Sequence, residues 1–135
     1  RIDNFLFSRN EPKLIAILDW ELSTLGDSRA DLASQIMQWS MPSGNEGRGL
    51  DGVDRQKMGL PEDREFIAQY AKYMGLSDLP NLEFPLAFCY FRMAAILQGV
   101  KKRALDGNAS NPQWGLKMGQ YVPIFAKKAL EILKI

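Results

Sequence analysis

Asn4 and Asp19 are the residues whose types and placement best fit a chemical task. Asn4 stands just before the apolar triplet Phe5, Leu6 and Phe7, and Asp19 just after the apolar run Leu14-Ile15-Ala16-Ile17-Leu18. Both runs are short, aromatic or partly β-branched, and Arg9-Asn10-Glu11-Pro12-Lys13 between them is rich in turn formers. They read as two strands of a hairpin. Antiparallel pairing sets the start of one strand beside the end of the other, so Asn4 and Asp19 are expected as neighbours. A carboxylate and an amide oxygen that converge suit a hard cation such as Mg²⁺, which keeps several waters and takes further ligands from phosphate. The same residue types also make Asx turns at strand ends, and spacing alone leaves both readings open. Glu21 is a further candidate metal ligand or water-binding acid, against the simpler reading of a solvated loop carboxylate. Asp31 falls in the first turn of a helix, where the dipole stabilises an acid whatever else it does.

Two strands alone are marginal in water, and the rest of the chain reads as helices to cover them. The first begins near Asp27 or Ser28, carries Leu32, Ala33, Ile36 and Met37 at helical spacing, and stops at Pro42. Residues 43–60 contain Gly44, Gly47, Gly49, Gly52 and Gly59 without a period, a long loop of the kind that is functional or disordered. A second helix starts at Pro61-Glu62-Asp63 and ends at Gly75. A third runs from Phe84-Pro85 to Gly107 with Phe84, Ala87, Phe88, Phe91, Ala94 and Ala95 as its core face. A fourth starts at Asn111-Pro112, carries an apolar stripe from Trp114 to Leu133, and is expected to kink near Gly119 because of Pro123. The fold class is thus α+β, mostly α, a short β-hairpin packed on a helical body.

Composition removes several functions. The chain has 135 residues, enough for one domain or a piece of one. With 46% hydrophobic residues it is too apolar for disorder, and a formal charge of +1 gives no electrostatic case for nucleic acid or an acidic membrane. There is no histidine, so no Ser-His-Asp or Cys-His arrangement exists within the chain. The single cysteine, Cys89, lies in an apolar stretch and reads as a buried thiol, which points to a reducing, cytoplasmic setting. No apolar run reaches the ~18–20 residues of a membrane span. The first residue is Arg1 and not methionine, so sequence is expected to precede it.

The segment ILDWELSTLGDSRADLA resembles the metal-binding segment of the aminoglycoside phosphotransferase family, a branch of the protein-kinase-like fold. RIDNFLF resembles the end of that family's catalytic loop, and FPLAFCYFRMAAILQGVKKRALDGNAS is similar to the later helix of the subgroup whose kinase-like domain is fused to acyl-CoA dehydrogenases. The resemblance implies that residues 1–135 are the C-terminal, helical lobe of a kinase-like domain, with the N-terminal lobe absent. It implies ATP and Mg²⁺ as cofactors, with Asn4 and Asp19 on the metal and nucleotide phosphates, while Glu21 keeps both its readings, an added ligand or a solvated acid. Asp31 matches an acid that braces the catalytic-loop backbone. The family's catalytic Asp would lie just before Arg1, so the chain alone is expected to be inactive. The implied partners are a nucleotide and a small hydroxyl-bearing acceptor, such as a sugar, an amino alcohol or a hydroxyacyl compound. Arg1 would face the acceptor or a phosphate, and residues 43–60 would lie on the acceptor side. A further reading is clipping of a longer enzyme down to this lobe, and a homo-oligomer that covers the surface left by the missing lobe is expected in that case. The alternative is a non-catalytic helical interaction module derived from the same fold.

Overall fold

The computed structural model describes residues 2–21, 23–44 and 49–135. Strands β1 (Phe5–Phe7) and β2 (Leu14–Ile17) pair antiparallel, with Phe5 opposite Ile17, Leu6 opposite Ala16 and Phe7 opposite Leu14. Ile15 is left without a partner, which makes a bulge in β2. Ser8 N–H closes the connecting loop on the Lys13 carbonyl at 2.9 Å.

Helix α1 (Arg29–Trp39) starts where Asp27 accepts the Arg29 backbone N–H at 3.0 Å; Ser28 holds the cap position without a side-chain bond. It buries Leu32, Ala33, Ile36 and Met37, the face set by their spacing. Helix α2 (Asp63–Tyr73) opens with a capping box in which the Glu62 and Glu65 side chains each bond the other's backbone N–H. It ends when Gly75, at φ +66°, turns the chain so that Leu76 N–H reaches the Ala71 carbonyl. Helix α3 (Glu83–Leu105) is the central element, packed against α1, α4 (Pro112–Met118) and α5 (Val122–Leu133). Asn111 caps α4 by accepting the Trp114 N–H at 3.0 Å, with Pro112 in the first turn.

At the place of the expected kink, the 3-10 turn Gly119–Tyr121 separates α4 from α5, while the backbone stays in the right-handed helical region. Pro123 has no N–H to offer the Gly119 carbonyl and its ring crowds that group, so the α-helical ladder cannot continue. Gly119 also lies against α3, where an added Cβ would meet the Lys101 side chain at 2.7 Å.

The core centres on Phe125 and Met118, each 1% exposed, with Ala33, Met37, Tyr90 and Leu97 around them. Phe125 lies between the rings of Tyr90 and Tyr121, at centroid distances of 5.9 and 6.1 Å. The Ser40 hydroxyl donates to the Met37 carbonyl at 2.8 Å, so the 2.7 Å bond between Ser40 Oγ and the Tyr90 hydroxyl has Tyr90 as donor.

Two expectations about packing differ from the structure. On α3 the buried residues are Ala87, Cys89, Tyr90, Ala94, Leu97 and Ala104, whereas Phe84, Phe88, Phe91 and Ala95 face outward. The N-terminal half of α3 is apolar on most of its circumference, and the small residues win the core side because they let neighbouring helices approach. The hairpin is mostly uncovered: every strand residue is exposed except Ala16, which is half-buried. The fold class is α+β and mostly α, but the helical body does not cover the two sheet faces. No helix among the described residues is long and apolar enough to cross a membrane.

Candidate functional site

A 3-10 turn, Ile2–Asn4, leads into β1 and brings Asn4 to the open end of the hairpin. There Asn4 Nδ2 donates to Asp19 Oδ2 at 2.8 Å. The Leu18 N–H donates to the Asn4 carbonyl at 2.8 Å and extends the ladder one step beyond the strands. Asp19 then leaves the extended conformation for the left-handed region at φ +67°. Asp is one of the few residue types that tolerates this region. The following indole reaches back: Trp20 Nε1 donates to the Ile17 carbonyl at 2.6 Å.

Asp19 is exposed and Asn4 half-buried, so a ligand can reach both. Among the described residues no group of three or more His, Cys, Asp or Glu could hold a metal ion, which removes an all-protein cage for zinc or calcium. A carboxylate beside an amide is a sufficient donor set for Mg²⁺ when phosphate supplies the rest.

Glu21 is exposed two residues further on, and its carboxylate takes part in no hydrogen bond or ion pair among the described residues. Asp31 lies in the first turn of α1, exposed, and accepts no side-chain hydrogen bond from Asn4 or any other described residue. Its charge is felt at Cys89, whose thiol is pushed up by burial, with Arg92 opposing and Asp31 adding. Arg1 and residues 45–48 of the glycine-containing loop, Gly47 among them, lie outside the described residues. The structure therefore joins Asn4 to Asp19 and leaves Glu21 and Asp31 unattached to that pair.

Two features escaped the sequence reading. One is the Trp20 bond; its signal is an aromatic side chain with a ring donor directly after the acid. The other is Arg55, which donates to Asp63 at 2.6 Å and Glu62 at 2.8 Å and lies over the Trp39 ring at 5.0 Å. These bonds, the one to Asp63 foremost, raise the Arg55 pKa against the opposing effect of burial. Arg55 ties the loop to the start of α2, and its signal is a lone arginine upstream of two adjacent acids. Above it lies a cleft of about 330 Å³ bordered by Trp39, Ser40, Asp51 and Tyr90. None of Asn4, Asp19, Glu21 or Asp31 lines it.

Comparison with known proteins adds three findings. The profile of the phosphotransferase enzyme family matches residues 1–80, which includes the hairpin, α1 and α2. Acyl-CoA dehydrogenase family member 10 of Mus musculus is 44% identical over 112 residues, 82% of this chain and 10% of that protein. Acyl-CoA dehydrogenase family member 11 is 40% identical over 137 residues in Gallus gallus, 99% of this chain and 18% of that protein. The Homo sapiens protein of the same name is 41% identical over 116 residues, 82% of this chain and 14% of that protein. The chain thus spans between a tenth and a fifth of the length of these relatives. No solved structure matches it.

Proposed function

Since the chain belongs to the phosphotransferase enzyme family, we propose that it is the C-terminal, helical lobe of a kinase-like domain that moves the γ-phosphate of ATP to the hydroxyl of a small acceptor. The observation that carries this reading is the Asn4–Asp19 pair, 2.8 Å apart at the end of the hairpin and inside the residues the family profile matches. In this reading the two side chains hold Mg²⁺. To hold it, Asn4 would have to turn its amide so that the oxygen, and not the Nδ2 that donates to Asp19, faces the site. When bound, Mg²⁺ would supply neutralisation of phosphate charge, the main need of a reaction that runs on positioning and electrostatics. Glu21, without a hydrogen bond or ion pair among the described residues, would bind a water or a second ion. Asp31, also free, is available to brace the backbone that carries the catalytic Asp, which the reading assigns to sequence outside this chain.

The relatives' names as acyl-CoA dehydrogenase family members support an acceptor of acyl type. A hydroxyacyl compound is therefore the first acceptor to screen, ahead of sugars and amino alcohols. ATP as donor and a reduced Cys89 both suit the cytoplasm. A non-catalytic interaction module has no use for a carboxylate and an amide set against each other at a strand end.

The test is thermal stabilisation of the full natural protein by Mg²⁺ and ATP. A ligand at a hundred times its Kd stabilises by about 2.7 kcal/mol. Asp19→Asn is expected to abolish the Mg²⁺-dependent part of that gain. A gain that is independent of Mg²⁺, or untouched by Asp19→Asn, refutes the reading.

A further inference from the structure

We propose that Trp20 is a positioning residue that holds Asp19 in its left-handed backbone conformation through the bond from the indole N–H to the Ile17 carbonyl. The inference rests on the metal-binding role proposed above for Asp19.

Asp19 is at φ +67°, and the only other non-glycine with positive φ among the described residues is Lys134 at the end of α5. An L-residue in this region is strained and returns to extended or helical geometry unless its neighbours prevent it. On its N-terminal side Asp19 is held by the Leu18 N–H bond to the Asn4 carbonyl. On its C-terminal side no strand continues, because β2 ends at Ile17. The 2.6 Å indole bond fills that gap: it runs from residue 20 back to residue 17 and closes a ring that contains Leu18 and Asp19. The Trp20 carbonyl then accepts the Ser23 N–H at 2.9 Å, which fixes the segment on its far side.

Trp20 is 62% exposed, so burial does not explain the residue type at this position. Phenylalanine could cover the turn but offers no donor, whereas the indole N–H reaches back across two residues to the Ile17 carbonyl. Rotation of Asp19 out of the left-handed region would swing its carboxylate away from Asn4 and separate the pair on which the cation depends. Trp20 therefore acts on metal affinity through the backbone and touches no ligand itself.

The experiment titrates Mn²⁺, in the presence of ADP, into the full natural protein and reads free Mn²⁺ by electron paramagnetic resonance. Trp20→Phe keeps an aromatic ring and removes the donor. We expect it to weaken Mn²⁺ about three- to tenfold, the effect of one neutral hydrogen bond on the competent population, while the thermal midpoint without metal stays close to wild type. Asp19→Asn serves as the reference and is expected to lose the site. If Asp19→Asn loses Mn²⁺ and Trp20→Phe binds it as tightly as wild type, the positioning role is overturned and the metal site stands. If Trp20→Phe lowers the metal-free midpoint as steeply as it lowers Mn²⁺ affinity, Trp20 is a general structural residue and the inference is overturned. If Asp19→Asn binds as wild type does, the metal site itself is refuted and the role of Trp20 falls with it.

Discussion

Replacing Arg55 by alanine removes the fastening between the glycine-containing loop and the start of α2. The Arg55 side chain is only 15% exposed, whereas its partners Glu62 and Asp63 are 45% and 50% exposed. The half-open acids keep much of their hydration, so each ion pair contributes about 0.5–1 kcal/mol and not the larger figure of a buried pair. The guanidinium also lies 5.0 Å from the Trp39 ring centre, and stacking at a partly covered site adds about 0.5–1 kcal/mol. Trp39 in turn packs on Phe66 of α2 at 4.7 Å, so removal of the guanidinium loosens a second contact between the same elements. Together these give a loss of about 2 kcal/mol, which for a chain of this length lowers the thermal midpoint by roughly 5–8 °C. Arg55→Lys keeps the charge but not the planar fork, and should lose about half as much. Circular dichroism melts of wild type, Arg55→Ala and Arg55→Lys read this directly. A midpoint for Arg55→Ala within about 1 °C of wild type would show that the loop is not held by this residue.

Two further outcomes follow from the core and from the start of α1. Phe125→Ala empties a site that is 1% exposed between two tyrosine rings, and should cost about 3–5 kcal/mol in urea unfolding; a loss under about 1 kcal/mol would mean that α5 repacks freely. Asp27 accepts a bidentate bond from Arg29, which holds its carboxyl below the usual 3.8. A depressed folded-state pKa gives stability that is fully present above about pH 3.8 and is lost as pH falls through the lower folded value. The melting curves of wild type and Asp27→Asn should therefore differ at neutral pH and draw together as pH falls through the acid range, and a difference that does not shrink on acidification would contradict the assignment.

The hairpin and the nearness of its two polar ends were legible from antiparallel topology: with Phe5 opposite Ile17, Asn4 and Asp19 fall at the same end of the ladder, although the bond between their side chains also needs the left-handed turn at Asp19. Helix ends were legible for a similar local reason. Gly75 and Gly107 supply the positive φ that a helix stop needs, and Asn111 with Pro112 marks a start by its own side chain. What was not legible depends on distant contact. The α3 stripe of Phe84, Phe88 and Phe91 has the right period for a core face, but period does not say which of several apolar faces has neighbours. The exposure of β1 and β2 is of the same kind, since nothing in two apolar triplets states what covers them. Residues 43–60 have no period at all, and nothing local announces the Pro42–Asp51 and Ser43–Gly49 bridges or the ion pairs of Arg55 with Glu62 and Asp63. The Trp20 bond spans three residues, yet it exists only because Asp19 takes an uncommon backbone conformation that residue type permits but does not demand.

The exposed hairpin divides the molecule into two grades of permanence. Helices α1, α3, α4 and α5 share one core and must open together, whereas the hairpin is secured chiefly by its own ladder and can fray while the body stays intact. Asn4 and Asp19 sit on the part that opens first. An ion held by both, as proposed, would tie the two strands together at their open end, so its binding and the order of the strands would be one linked equilibrium: retention of the metal would draw on the free energy of closing the hairpin, and the metal would in turn deepen strand closure.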